Sequence, residues 1–301
     1  PIKDDGGKAW LYVKVPHKNS SQIKELRYTH NGRPFTAEME TKIDSAKSLS
    51  KTIKFKVNLV SGMNHFAVHP ILKNNIEAKP TQIQYFAENN TFETRCHLFV
   101  IGINEYQNSS LKLNYARNDA ESFASSFKEH SQGLYKEVVL HEFYDKNASK
   151  RKILDSLHVL SKTVAVHDVF VLYYAGHGSV VNDMFYLIPQ DCQRLYDADK
   201  VSSQGISAKE LQESFKKIKA LKQVVIMDAC QSGGGVQTLA MRGVGEEKAM
   251  AQLSRSAGVH IFASAGSEQN AKEISVLKHG LFTYVLLQAM TGAADGSPRD
   301  E

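Results

Sequence analysis

Cysteine is scarce in this chain: Cys96, Cys192 and Cys230 are the three among 301 residues. So small and odd a number excludes a disulfide framework and points to free thiols in a reducing compartment, so a cytoplasmic setting is expected. Long apolar runs are missing as well. No stretch approaches the roughly 18 to 20 residues that a membrane helix needs, so no membrane span is expected. A charged-then-apolar leader is also lacking, and the sequence opens on Pro1, as a processed or excised piece would. A strong excess of one charge is absent too. The net charge is +5, and the excess lies in residues 1–94, where lysines alternate with apolar residues as in KTIKFKV (51–57). That pattern suits a solvated sheet face. No nucleic-acid-binding motif accompanies it, so no nucleic-acid partner is expected. A phosphate-cradling loop is excluded as well, because the glycines of CQSGGG (230–235) follow the polar residues and no GK[ST] comes after them.

What is present divides into two textures, and the length suffices for two domains. Residues 1–92 alternate with period two in KAWLYVKV (8–15), TIKFKVNL (52–59), NHFAVHPIL (64–72) and TQIQYFAE (81–88). Turn material such as HNGRP (30–34) and SGMN (61–64) separates these runs, which predicts a small antiparallel β-sandwich. Residues 93–301 instead alternate strands with helices. HLFVIGI (97–103), DVFVLYYA (168–175), KQVVIMDA (222–229) and GVHIFASA (258–265) read as buried strands. NDAESFASSFKEH (118–130), SKRKILDSLHVLSKTV (149–164), SAKELQESFKKIK (207–219) and LFTYVLLQAM (281–290) read as helices. The expected fold is therefore α/β, a mostly parallel sheet flanked by helices, preceded by a small all-β sandwich. Asn118 is expected to cap the first helix with Glu121, and Cys192 to lie in a surface loop.

Two strand exits carry the chemistry. VLYYAGHGSV (171–180) sets His177 between two glycines where a strand is expected to end. VVIMDACQSGGG (224–235) sets Cys230 at a second exit. Nucleophilic cysteine chemistry needs a thiolate, a base nearby and donors for the developing oxyanion, and a glycine-rich turn can supply the donors. In a parallel sheet both exits fall on the carboxyl edge, where active sites gather. Taken singly, each motif also fits a bland role: a glycine turn for His177, an inert core thiol for Cys230. Cys96 reads as core.

His177 and Cys230 lie 53 residues apart in the sequence. With DACQSG, YYAGHG, VIGINEY (100–106), LNYARNDA (113–120), ASAGSEQ (263–269) and KHGLFTYVLLQAM (278–290), residues 95–292 resemble the caspase, metacaspase and bacterial caspase-like cysteine peptidases. The resemblance implies a Cys230–His177 dyad, with the backbone N–H groups of Gly178 and Cys230 as oxyanion hole. Caspases carry glutamine where this chain has Asp228; metacaspases carry an acid there and another in a motif matching NDA. Carried over, Asp119 and Asp228 become the carboxylates of an S1 pocket for P1 Arg or Lys, chemistry suited to a guanidinium. Arg117 would spoil that pocket if it reached it, and an acid-specific peptidase remains open, as does a silent scaffold acting by binding. The resemblance requires no cofactor. Calcium is an option at Asp191, Asp197 and Asp199, although their spacing matches no EF-hand loop. The long polar stretch 237–256 carries Arg242, Lys248 and Arg255 as sites for self-cleavage, Arg242 foremost. The β-sandwich loosely resembles immunoglobulin-like domains flanking bacterial enzymes and is expected to dock a partner protein.

Overall fold

The computed structural model describes residues 7–16, 21–35, 39–43, 50–87, 93–195, 197–231, 258–264, 273–274 and 278–294, together with positions 251 and 254. At 39–43, 50–51, 230–231 and 273–274 the description is of the backbone. The chain divides into two compact units, Pro1–Phe92 and Glu93–Glu301.

The first unit contains β1 (Lys8–Pro16), β2 (Ile23–His30), β3 (Arg33–Phe35), β4 (Met39–Ile43), β5 (Ser50–Asn58), β6 (Gly62–Leu72) and β7 (Thr81–Ala87). They form two antiparallel sheets, ordered β1-β5-β4 and β3-β2-β6-β7. Period-two alternation explains the first sheet: Ile53, Phe55 and Val57 are buried, whereas the Lys54 ammonium lies on the Trp10 ring, 3.7 Å from its centroid. Such a contact contributes about 0.5–1 kcal/mol at an exposed site. Both sheets feed one core, with Leu11 and Phe55 from the first and Phe66 and Ala87 from the second. Asn31 and Gly32 have φ of 49° and 79°, which gives the β2–β3 hairpin the two left-handed residues that its tight turn requires.

The second unit contains β8 (Arg95–Gly102), a 3-10 turn (Ser109–Leu111), α1 (Ala116–His130), β9 (Glu137–Tyr144), α2 (Lys150–Thr163), β10 (Val169–Val181), β11 (Met184–Leu187), α3 (Ala198–Gln204), β12 (Ile206–Ser207), α4 (Ala208–Lys217), β13 (Lys222–Gln231), β14 (His260–Ala263), β15 (Glu273–Ile274), β16 (His279–Gly280) and α5 (Leu281–Gln288). Its seven-stranded sheet has a parallel core β9-β8-β10-β13-β14, and β11 and β12 extend it in antiparallel fashion beside the far end of β10. Continuous apolar runs suit strands covered on both faces. Leu98, Val100, Val171 and Tyr173 pack on one face with Phe123 of α1 and Leu286 of α5. Phe99, Ile101, Leu172 and Tyr174 pack on the other with Leu157 of α2 and Phe215 of α4. Each such fully buried side chain contributes about 1.5–3 kcal/mol.

Strand order reverses between β8 and β10: the chain leaves β8 for β9 on one side, then returns to build β10, β13 and β14 on the other. Loops at such a point splay apart at the carboxyl edge and leave a crevice.

Several local expectations need correction. β10 does not end at Ala175 but runs to Val181, because β11 takes over as its neighbour after the last β8 pair, Gly102 with Ala175. His177 is therefore a buried strand residue rather than an exposed turn residue. Helix α1 starts at Ala116, not after Asn118, and Tyr115 at its N-cap makes no side-chain cap. The Asn104 side chain accepts from the Arg117 N–H instead (3.0 Å), which frees Asn118 for another contact. Cys192 is wholly buried within an apolar cluster rather than in a surface loop.

Candidate active site

The parallel register of β10 and β13 sets residue 177 directly opposite residue 230, about 4.8 Å away across the ladder. Fifty-three residues of sequence thus close to one strand spacing at the carboxyl edge. Both residues lie beyond the last β8 pair, so β8 no longer covers that side.

His177 is held at three points. Its N–H donates to Tyr106 Oη (2.8 Å), and its carbonyl accepts from the Tyr174 hydroxyl (2.6 Å). Its Nε2 lies 2.8 Å from the carbonyl oxygen of Leu111. A carbonyl only accepts, so Nε2 carries the proton and the basic lone pair of the neutral ring sits on Nδ1. Tyr106 and Leu111 both come from the segment that follows β8, so the chain at the strand-order reversal supplies two of the supports of His177. Tyr174 holds the backbone of His177 rather than its ring. Tyr106 and Leu111 were not singled out from the sequence. The VIGINEY motif contains Tyr106, but a backbone carbonyl leaves no sequence signal.

The two glycines differ in their reasons. A Cβ on Gly176 would sit 2.8 Å from both the Tyr106 and the Tyr174 hydroxyls, and one on Gly178 would sit 2.9 Å from the Phe185 ring. At either position a side chain would force these rings to shift, so packing favours glycine independently of any role in binding an oxyanion.

Asp119 and Asp228 meet on the other side of the site. Both are buried, and a Cβ on Gly280 would lie 2.9 Å from Asp228 Oδ2 and 3.1 Å from Asp119 Oδ2. Asp119 sits on α1, Asp228 near the end of β13, and Gly280 at the start of α5. Asp119 accepts from His279 Nδ1 (2.6 Å) and from the Gly280 N–H (3.0 Å). Asp228 accepts from the Thr283 hydroxyl (2.7 Å), so the Tyr173 hydroxyl, 2.6 Å from Thr283 Oγ1, donates to it. Burial, with the charge of Asp228 close by, pushes the Asp119 carboxyl up to about 6. Burial raises Asp228 as well. Two desolvated acids this close favour a cation between them. Arg117 does not supply it, because its guanidinium bonds to Glu121 (2.8 Å) and Asp145 (3.1 Å). His279, Thr283 and Tyr173 are further residues that the sequence did not single out, although KHGLFTY contains the first two.

The remaining expectations fall elsewhere. Arg242, Lys248 and Arg255 lie outside the described residues. Asp191 accepts from the Lys150 N–H (2.9 Å) and Asp197 caps α3 through the Lys200 N–H (3.1 Å). Among the described residues no group of three or more His, Cys, Asp or Glu side chains converges on a metal position. No helix among them is long and apolar enough to cross a membrane. Cys96 is buried in the core, where desolvation pushes its thiol up to about 12.

The caspase domain of family Peptidase_C14 matches residues 95–299. No curated protein matches the sequence. Among solved structures, protein GSU0716 from Geobacter sulfurreducens aligns with 66% of this chain and 83% of its own at 17% identity and TM-score 0.47. A carbohydrate esterase family 2 enzyme with its carbohydrate-binding domain, from Corynascus thermopiles (Myceliophthora fergusii), aligns with 95% and 93% at 10% identity and TM-score 0.30. Neither likeness is close enough to bear on the chemistry. The caspase-domain match spans most of the chain and covers the helix-flanked parallel sheet and both strand exits, and the chain belongs to the caspase-domain family of cysteine peptidases.

Proposed function

We propose that the protein is a cysteine endopeptidase that cleaves after Arg or Lys, with Cys230 as nucleophile and His177 as its base. The register pairing of residues 177 and 230 carries this reading. Nε2 of His177, donating to Leu111 O, holds the ring in the tautomer whose Nδ1 takes the thiol proton. The thiolate sulfur attacks the scissile carbonyl carbon, and the oxyanion develops against the N–H groups of Gly178 and Cys230. The imidazolium then protonates the leaving amine. Water, deprotonated by His177, hydrolyses the thioester and restores the thiol. Asp119 and Asp228, buried together and without a guanidinium among the partners described above, support a basic P1 side chain. An aspartate there would meet two like charges.

Peptides differing only at P1 test this reading. The whole chain is expected to hydrolyse Arg and Lys peptides and to leave the Asp peptide intact, and the Cys230→Ala chain to cleave none. Cleavage after Asp alone would overturn the S1 assignment; no cleavage of any peptide would leave a binding scaffold. Self-processing after Arg242 belongs to the same proposal, and Lys248 and Arg255 are its secondary sites. Fragment masses that appear in the wild type and not in Cys230→Ala would support it. The antiparallel sheets of the first unit are proposed as an immunoglobulin-like docking module for a partner protein in the cytoplasm. Full solubility and regulation of residues 93–301 alone would remove that role.

A further inference from the structure

Lys278–Gly280 forms a strap over the two acids. Asn118 Nδ2 donates to the Lys278 carbonyl (2.8 Å), and Lys278 itself adopts a left-handed φ of 54°, uncommon for a residue with a side chain. β16 pairs with β15 through Ile274–His279 and Glu273–Gly280 in a ribbon separate from the main sheet. The strap thus ends with the His279 imidazole and the Gly280 N–H both on Asp119, and with no room for a Cβ on Gly280 beside Asp228.

We propose that His279 is a specificity-determining residue that occupies, on Asp119, the place of the basic P1 head group, so that substrate entry is an exchange in which a guanidinium or ammonium displaces the imidazole. This inference rests on the S1 reading above and deepens it. The geometry favours a stand-in over a fixed clamp for two reasons. Gly280 N–H alone suffices to keep one Asp119 oxygen bonded. His279 is also the more accessible partner, with its side chain 18% exposed against 4% for that of Asp119, and can swing outward when a better donor arrives. A guanidinium offers two parallel donors to a carboxylate where the imidazole offers one. Arginine therefore displaces it more readily than lysine.

The test compares wild type, His279→Ala and His279→Gln, the last keeping a neutral N–H donor. The readouts are kcat and KM for an Arg peptide, and calorimetric binding of agmatine, a bare guanidinium probe, to the same chains carrying Cys230→Ala. Stand-in behaviour gives a KM about 5-fold lower in His279→Ala with kcat unchanged, a matching gain in agmatine affinity, and intermediate values for His279→Gln. That is the size expected of losing one competing hydrogen bond, about 1 kcal/mol. A higher KM and weaker agmatine binding in His279→Ala would make His279 a clamp on Asp119 and overturn the proposal while leaving the S1 reading intact. Failure of agmatine to bind any of the chains, with no Arg or Lys cleavage by wild type, would remove the S1 reading and this inference with it.

Discussion

The two units each bury a histidine almost completely, His30 at 4% exposure and His177 at 3%, and they do so for opposite ends. His30 faces Asn64 (2.9 Å) and stacks on Phe66 with ring centroids 4.2 Å apart. Asn64 in turn accepts from the Val60 N–H (2.9 Å) and donates to the carbonyls of Val60 (2.8 Å) and Gly62 (3.0 Å). The cluster is closed: it pins the turn where the chain crosses from one sheet to the other. His177 takes two of its three supports, Tyr106 and Leu111, from the segment after β8, far away in sequence, and each of the three involves a backbone group. Burial alone therefore does not tell the two histidines apart. What distinguishes His177, and carries the role proposed for it, is its position at a strand-order reversal, opposite a cysteine, with its tautomer imposed by a carbonyl that no side-chain substitution removes.

The sharpest way to break that comparison is to delete each ring. His177→Ala is expected to lower kcat for the Arg peptide by about 1,000-fold or more, the scale of a lost catalytic base. His30→Ala should leave kcat within about 2-fold and lower urea stability by about 1–3 kcal/mol, since it leaves Asn64 buried and under-satisfied. Loss of activity in His30→Ala at unchanged fold would erase the distinction drawn here.

A smaller effect is expected at Gly176. The two tyrosine hydroxyls that hold the backbone of His177 leave no room for a methyl at that point. Gly176→Ala should push both away and displace the imidazole, lowering kcat about 10- to 100-fold through misalignment. Tyr106→Phe, which removes one anchor without crowding, should lose less. Single-turnover cleavage, read beside thermal melting, separates misplacement from unfolding.

The sequence made much of this legible, for physical reasons. Glycine-flanked His177 and Cys230 show because each lies at the end of a continuous apolar run, and parallel sheets bring such ends to one edge. Asp119 and Asp228 show only through family likeness, since a helix acid and a strand acid have many other uses. His30, Asn64, Leu111 O and the Tyr173–Thr283 chain do not show at all. Their roles arise from contacts between distant segments, and one of them is a main-chain atom. The Asn118 cap fails for a related reason: the sequence of a helix start carries its own caps, but here Asn104, from the loop before it, takes over. His177 was expected at a strand end because the apolar run stops at Ala175, whereas pairing with β13 through Gly178 and with β11 from Gly178 onward carries the strand to Val181.

Asp119 sharpens the comparison from the side of stability. Its raised carboxyl means that the folded protein binds a proton more readily than the unfolded chain, so this group stabilises only at low pH. That contribution disappears as pH rises from about 4 to about 6. At neutral pH the ionised acid weakens the fold, as a site awaiting a cation would. Asp119→Asn is expected to raise urea stability at pH 7.5 by about 1 kcal/mol while raising the KM for Arg peptides at least 10-fold. A destabilised variant would mean that the bonds from Gly280 and His279 outweigh the cost of burying the charge.

The smallest effect concerns acid. Burial pulls His30 down to about 4, and burial with neighbouring His97 pulls His141 down to about 4. Both rings are neutral in the fold, whereas in the unfolded chain they titrate near the ordinary histidine value of about 6.5. The unfolded state therefore binds more protons between those values, and stability falls as pH drops from about 6.5 towards 4. Because one histidine lies in each unit, acid should weaken both. His30→Gln keeps a donor for Asn64 and cannot be charged, so it should flatten the slope for the first unit and leave that of the second unchanged. Near pH 5.5 the difference from wild type is expected to be about 1 kcal/mol, measurable by urea unfolding followed at Trp10, the chain's only tryptophan and a residue of the first unit. An unaltered slope in that variant would place the acid sensitivity of the first unit on its carboxylates rather than on its buried histidine.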